Sequence, residues 1–410
     1  MGKTMVLNGK DWEIRPSGVG KKLPWISGWV PATVPGNIQG DLQDDCLLYP
    51  LNYGMGDSRL MDVCLSGWQY RKDFEAHPAA GERVTLELCG VDYSGTVALN
   101  GIEVGRTEGQ FNRFLLDVTE AVRDGKNELV ITIDPMPEEL EEWLRLSDGK
   151  LSGENTEHHF VKANDKIRQC LKGLKSPAVC SYDWAYNLYT LGVWKDVRLR
   201  FTGEARIDWI QLQGELNDDY TQAQAKVFLE TNSVRALRAK MRVTVTGPTG
   251  TVSGEEIVDI PAGEGKVGMS VAVSHPALWW PNGYGDQPLY TVKAELVDGE
   301  TVLDSAEDRI GFRRIDWELT EGAPAYFESK FGLLVNGKRI RTLGSCIVTP
   351  NLMGGRVTDE HGRHYIEMAK ACHMTALRQH GGQIIFPESV YRACDELGIL
   401  VLLDFPIGNC

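Results

Sequence analysis

The chain has 410 residues, a net charge of −14, 42% hydrophobic residues and 24% charged residues. That is ordinary for a globular protein and long enough for roughly two to four domains. The acidic balance argues against a nucleic-acid partner, because neutralising phosphates takes basic patches. No apolar run approaches the roughly 20 residues of a membrane span, and residues 1–8 carry no apolar signal-peptide core. The nine cysteines show no CxxC spacing and read as thiols of a reducing compartment, so the expected location is cytoplasmic. Neither a cofactor nor a metal is expected. Glu157, His158 and His159 lie together but lack further ligands. The eleven tryptophans could stack on sugar rings, although core packing is the first reading of any one of them.

Taken in chain order, residues 1–203 read as one β-rich domain. Positions 84–88 alternate apolar and polar, as a half-buried strand does. Two strands flank Asn100-Gly101, a strong short hairpin signal. Further strands are expected over 111–116 and 128–133, with a turn at Asp124-Gly125. Short strands at this spacing suggest a jelly roll. Residues 138–146 read as a short acidic helix on the surface, and Glu138, Glu139, Glu141 and Glu142 as its solvated face.

Residues 204–314 read as a second β domain, with strands near 226–230, 241–246, 267–273 and 290–297. Turns at Pro248 to Gly250 and at Asp298-Gly299 fit an immunoglobulin-like sandwich without the Cys-Trp-Cys pattern of antibodies. From 315 the period changes. A hairpin is expected over 331–340, a strand over 341–346, and a helix over 359–374 with Tyr365, Met368, Ala369 and Cys372 on one face. A strand over 375–378 then leads to a loop over 379–383. Pro387 opens a helix that Gly398 closes, and 399–405 is an apolar strand ending on Asp404. Strands alternating with helices imply a parallel sheet.

The order of these units, together with several local motifs, resembles glycoside hydrolase family 2 and within it the β-mannosidase branch. The segments 29–36 (WVPATVPG), 67–74 (GWQYRKDF), 91–93 (VDY), 99–101 (LNG), 278–285 (LWWPNGYG), 309–313 (RIGFR), 335–338 (VNGK) and 394–401 (CDELGILV) carry the resemblance. It implies a multidomain, mainly β chain: a jelly-roll, sugar-binding-like domain over 1–203, an immunoglobulin-like β-sandwich over 204–314, and the first strands and helices of an incomplete (β/α)8 TIM barrel over 315–410. The segment 175–194 is similar to the family's loop with a Trp-Asp-Trp triplet, here Tyr182, Asp183 and Trp184. By that likeness Asp183 would hydrogen-bond sugar hydroxyls, with Trp184 and Tyr182 as pocket walls. Arg378 matches an arginine that supports the nucleophile's carboxylate. His380 stands where the family usually has the Trp of a Trp-Gly-Gly-Gly run and is a candidate substrate contact. Ile385 and Phe386 replace a Tyr-Glu pair, which leaves the sugar open.

What the resemblance implies is a retaining hydrolase of terminal β-D-mannosyl linkages. Retention takes two carboxylates about 5 Å apart, which the family carries after its fourth and seventh barrel strands. This chain reads as an N-terminal portion of such an enzyme, with those glutamates beyond Cys410 and Asp404 in a supporting place. The expected partner is a carbohydrate, and a homodimer is compatible with the family. Two alternatives stay open: a non-catalytic carbohydrate-binding module, or a sister specificity (β-glucuronidase, β-galactosidase, exo-glucosaminidase or endo-β-mannosidase).

Overall fold

The computed structural model describes residues 3–49, 59–141, 175, 188–319, 322, 324, 332–381 and 384–405. The N-terminal strands form two facing antiparallel sheets. One has six strands in the order Val30–Val34, Gly9–Gly20, Ser66–Ala76, Gly125–Ile133, Ser94–Leu99 and Ile102–Glu108. The other has four, in the order Lys3–Val6, Val197–Thr202, Arg83–Leu88 and Phe114–Asp117. Alternation aims one set of side chains between the sheets. Leu129, Ile131 and Ile133 of one strand meet Val84, Leu86 and Leu88 of the facing sheet in a single core. Trp12 and Trp68 are sealed inside it and donate their indole N–H groups to the carbonyls of Leu7 and Val63, at 2.8 and 2.9 Å. The hairpin at Asn100-Gly101 forms as expected, with φ of 54° and 79°, the left-handed pair that a two-residue turn of this hand requires.

The second set of strands makes a sandwich of three strands (Ala205–Leu216, Gln222–Ser233, Gly263–Ser274) against four (Gly250–Ile260, Leu237–Gly247, Tyr290–Asp298, Thr301–Ile310). Val227, Leu229, Met241, Val243, Val292 and Leu296 fill its centre. Three of these strands, Ala205–Leu216, Gly250–Ile260 and Thr301–Ile310, escape the sequence pattern because their apolar alternation is weak. Their exposed faces and partly exposed register are those of edge strands.

The third part opens with a small antiparallel sheet, Ile315–Glu318, Gly332–Val335 and Lys338–Ile340. Three parallel strands follow, Gly344–Ile347, Ala376–Gln379 and Leu400–Leu403, each beside the next in sequence. The helices Asp359–Ala371 and Glu388–Leu397 make the crossovers and cover one face. This is the start of a parallel β/α sheet of the barrel kind.

Two local expectations are corrected. The first of these helices buries Gly362, Ile366 and Ala369. Met368 is 43% exposed and Cys372 is also exposed, so the buried stripe lies one position around the helix from the expected one. The neighbouring helix packs closely there: Val390 approaches within 2.7 Å of where a Cβ on Gly362 would be. The stretch from 138 starts at the surface, with Glu138 and Glu139 exposed as expected, but not as a regular helix. It is one 3-10 turn, Glu138–Leu140, whose Leu140 is fully buried in the first core. The remainder, from 142, lies outside the described residues.

The joints between the parts are specific. The 278–285 segment is the hinge plate between sandwich and barrel. Asn282 donates from its side chain to the carbonyls of Lys370 and Met374, at 3.1 and 2.9 Å, and from its backbone to Gly398 at 2.7 Å. Trp279, fully buried, donates to the Asp395 carbonyl at 2.7 Å. Asn37 accepts the Gly355 N–H at 3.1 Å, and Arg356 reaches Asp41 and Asp44, which ties the first domain to the loop after the first parallel strand.

Candidate functional site

In the parallel sheet, Cys346, Arg378 and Leu402 share one register. Their neighbours Leu377 and Val401 pack under the helices, so these three face the opposite, inner side. Leu400 begins the same inner row and packs on the Leu333, Val335 and Ile340 cluster of the leading hairpin, which closes the N-terminal end. At the other end, two residues beyond Leu402, stands Asp404.

Arg378 and Asp404 form a two-pronged ion pair across adjacent strands. The guanidinium Nη2 is 2.5 Å from Asp404 Oδ2, and Nε is 3.4 Å from Oδ1. The third nitrogen, Nη1, points to Cys346 Sγ at 3.8 Å. The Arg378 hydrogen bond holds the Asp404 carboxyl below the usual aspartate range, with the Arg378 charge, the Gly381 N–H and the charge of His380 adding to it. Asp404 is therefore an ionised acceptor, not a proton donor near neutrality. His380 follows Gln379 on this rim, half-buried. Gln379 is buried, accepts from the Tyr391 hydroxyl at 2.5 Å and donates to the Ile384 carbonyl at 3.3 Å, so the helix pins the strand end beneath the rim. Gly381 packs so tightly on the end of the third strand that an added Cβ would meet the Phe405 carbonyl at 2.7 Å.

Tyr182, Asp183 and Trp184 lie outside the described residues. The residues on either side of that segment are inside the first core. Lys175 and Asp92 form an ion pair with neither side chain exposed. The Lys175 ammonium donates to both Asp92 oxygens, at 2.5 and 2.6 Å, and to the Thr190 carbonyl at 2.6 Å. The Thr190 hydroxyl and the Gln110 amide complete the Asp92 carboxylate at 2.9 and 3.2 Å. Burial pushes the Asp92 carboxyl above its ordinary value against the pull of Lys175 and Thr190. On the far side Gln39 clamps the chain, donating to the Tyr189 carbonyl at 2.7 Å and accepting from the Leu191 N–H at 3.1 Å. Sequence reasoning did not assign these four residues. The 91–93 motif and the start of the 175–194 segment were the signals available, but their pairing across 83 positions is a fact of folding.

At the joint with the first domain, Asp41 is also buried. Its Oδ1 accepts from Thr33 N–H at 3.2 Å and from Arg356 at 3.3 Å, while Oδ2 has no hydrogen-bond partner. Burial pushes its carboxyl up to about 7, only partly offset by Arg356. Among the described residues no cluster of three or more His, Cys, Asp or Glu could hold a metal ion, and no helix is long and apolar enough to cross a membrane.

Residues 12–195 match the family model described as the glycosyl hydrolase 2 galactose-binding domain-like domain, and residues 205–313 match that of glycosyl hydrolases family 2. The chain belongs to glycoside hydrolase family 2. It is similar to β-mannosidase B of Aspergillus clavatus, with 32% identity over 346 residues, and to that of Aspergillus flavus, with 30% over 344; each match takes in 83% of this chain and 39% of the relative. The chain thus spans 39% of the length of these curated relatives. Among solved structures it superposes on the β-D-mannosidase of Dictyoglomus thermophilum with a TM-score of 0.78 at 24% identity, covering 98% of this chain and 47% of that one. It also superposes on the exo-chitosanase of Amycolatopsis orientalis, with a TM-score of 0.74 at 20% identity, covering 97% and 43%. These superpositions show a common fold. The β-mannosidase relatives make this family 2 chain β-mannosidase-like.

Proposed function

We propose that this chain is the sugar-recognising portion of a retaining β-mannosidase that acts on terminal β-D-mannosyl linkages. The observation that carries the reading is the Arg378–Asp404 pair on the inner rim of the parallel sheet, in a chain whose curated relatives are β-mannosidases. Active sites of this barrel class sit at the C-terminal ends of the strands, which is where the pair stands. In this role Arg378 presents a fixed guanidinium to an anionic group or to sugar hydroxyls, and Asp404 keeps it oriented. Asp183, Trp184 and Tyr182 would supply the hydroxyl-binding carboxylate and the aromatic walls, and His380 a polar contact beside them.

Retaining hydrolysis takes two carboxylates, one able to give a proton. Asp404 is held ionised by its arginine and is not suited to proton donation, and a single carboxylate does not make the pair. The 410-residue chain is therefore expected to bind sugar without cleaving it. The test is incubation of the purified chain with nitrophenyl β-mannoside, nitrophenyl β-glucosaminide and nitrophenyl β-galactoside. No release above the buffer blank is expected. Turnover at rates ordinary for an enzyme, of order 1 per second or more, would overturn the assignment of catalysis to residues outside this chain.

A further inference from the structure

Away from the rim, the three parts of the molecule enclose a cleft of about 900 Å³. Its size lies at the upper end of the small-molecule range. The first domain lends Trp194, Lys195 and Arg113, the sandwich lends Asp208 and Trp209, and the barrel segment lends Glu388 and its neighbours.

Three features set this cleft apart from a gap between domains. The first is a bulge. The pairing of Ala205–Leu216 with Gln222–Ser233 slips between Ile207 and Trp209, and a bulge re-aims the side chains around it. Here it leaves the Trp209 indole 55% exposed, with the Arg113 guanidinium 5.8 Å from the ring. A large apolar face held open in a polar cleft is a stacking platform. The second is Lys195. Its ammonium lies 4.6 Å from the centroid of the buried Trp194 ring, and no carboxylate is within ion-pair distance of it among the described residues. Burial pulls the proton affinity of this amine below that of an ordinary lysine. It is a three-proton donor that lines the cleft and makes no ion pair among the described residues, with the charges of Glu388 and Asp196 acting on it from beyond contact. The third is preorganisation. The acceptors are fixed by ion pairs within the walls: Glu87 by Arg113 at 2.6 Å, Asp196 by Arg198 at 2.5 Å and Asp208 by Arg206 at 2.6 Å. Arg113 also bridges the first two domains by donating to the Asp208 carbonyl at 2.6 Å.

An open indole face, one uncommitted cationic donor and several anchored carboxylates match a ring with an apolar C–H face and a rim of hydroxyls. They favour a neutral ligand over an anion, because the lining arginines Arg113 and Arg198 are already paired with Glu87 and Asp196 and the cations do not outnumber the carboxylates. We infer that this three-domain cleft is a saccharide-binding site separate from the barrel rim, with Trp209 as its platform and Lys195 as its hydroxyl donor, and that its ligand is a neutral oligosaccharide. The inference stands whether or not the rim binds mannose.

Calorimetric titration of the 410-residue chain with β-1,4-mannotriose, cellotriose and inorganic phosphate tests it. Saturable binding of at least one trisaccharide is expected. Affinity should fall at least tenfold in Trp209→Ala and in Lys195→Met, recover in part in Trp209→Phe, and hold in Arg378→Ala. Trp209 is at the surface, so the variant's thermal melt should match the parent's. Three results would overturn the inference: no binding of either sugar, binding that Arg378→Ala removes and Trp209→Ala spares, or competition by phosphate at the affinity of the sugar. The second would place the sugar at the rim and so separate the two readings.

Discussion

Asp92 and Lys175 show what a buried charge does for a chain of this kind. Neither side chain touches solvent, so each depends on the other and on Thr190 and Gln110 for the hydrogen bonds that water would otherwise give. Removing one partner strands the other. Asp92→Ala or Lys175→Met should cost about 3–5 kcal/mol, read as a lowered urea midpoint of the first unfolding transition, while the double variant should recover part of that loss. A loss in the double variant equal to the sum of the two single losses would mean that the pair is not coupled. Asp41 behaves differently because it is buried with one oxygen unpartnered. Its folded value of about 7 lies above the unfolded 3.8. A carboxyl raised in this way contributes stability that is present at low pH and is lost as pH rises through about 7. Relative to Asp41→Asn, the parent should therefore gain stability between pH 8 and pH 5, by at most about 1.4 kcal/mol per pH unit. Paired thermal melts across that range measure it, and a pH-independent difference would remove Asp41 as the titrating group.

At the scale of single elements, the second helix of the barrel segment is bounded as its sequence implies. Pro387 precedes Glu388–Leu397, and Gly398 ends it at φ 79°. That left-handed cap is where only glycine is unstrained. The same residue also abuts the sandwich: a Cβ there would sit 2.7 Å from Asn282 N and 2.9 Å from Gln287 Nε2. Gly398→Ala should cost about 1–2 kcal/mol from backbone conformation alone, with a further loss from the displaced Asn282 contact. Guanidinium unfolding of the variant against Asn282→Ala and the double variant checks that the two effects are coupled. Among the described residues the third parallel strand is hydrogen-bonded on one side only. Its Leu402 and Leu403 are 59% and 44% exposed, and Phe405 after it is 71% exposed. An apolar edge of this kind pairs with other chains. Light scattering should show concentration-dependent association of the 410-residue chain, reduced by Leu402→Lys with Leu403→Glu; unchanged scattering in that variant would place the contact elsewhere.

At the scale of the molecule, the long motifs turn out to be joints. The 278–285 segment reads in the sequence as a family signature, and in the fold it is the plate on which the ends of both barrel helices rest, through Trp279 and Asn282. The 29–36 segment leads to Asn37 and Asp41, which dock the first domain on the loop at Gly355 and Arg356. A substitution in either segment should loosen one part against another rather than unfold one core.

The sequence by itself determined the order of the units, most of their strands, the hairpin turn at Asn100-Gly101, the hairpin over 331–340, and the helix between Pro387 and Gly398. These follow from alternation, from glycine and proline placement and from turn chemistry, all of which act over a few residues. It also pointed to Arg378 at a strand end. Only the tertiary structure decided that Arg378 is locked to Asp404, that Lys175 finds Asp92, that the first barrel helix buries Ile366 rather than Met368, and that a bulge turns Trp209 into a cleft. Those contacts join residues 26 and 83 positions apart or depend on which face a neighbour covers. Local pattern carries no information about either, because burial and charge pairing are properties of the surfaces that meet when the whole chain has folded.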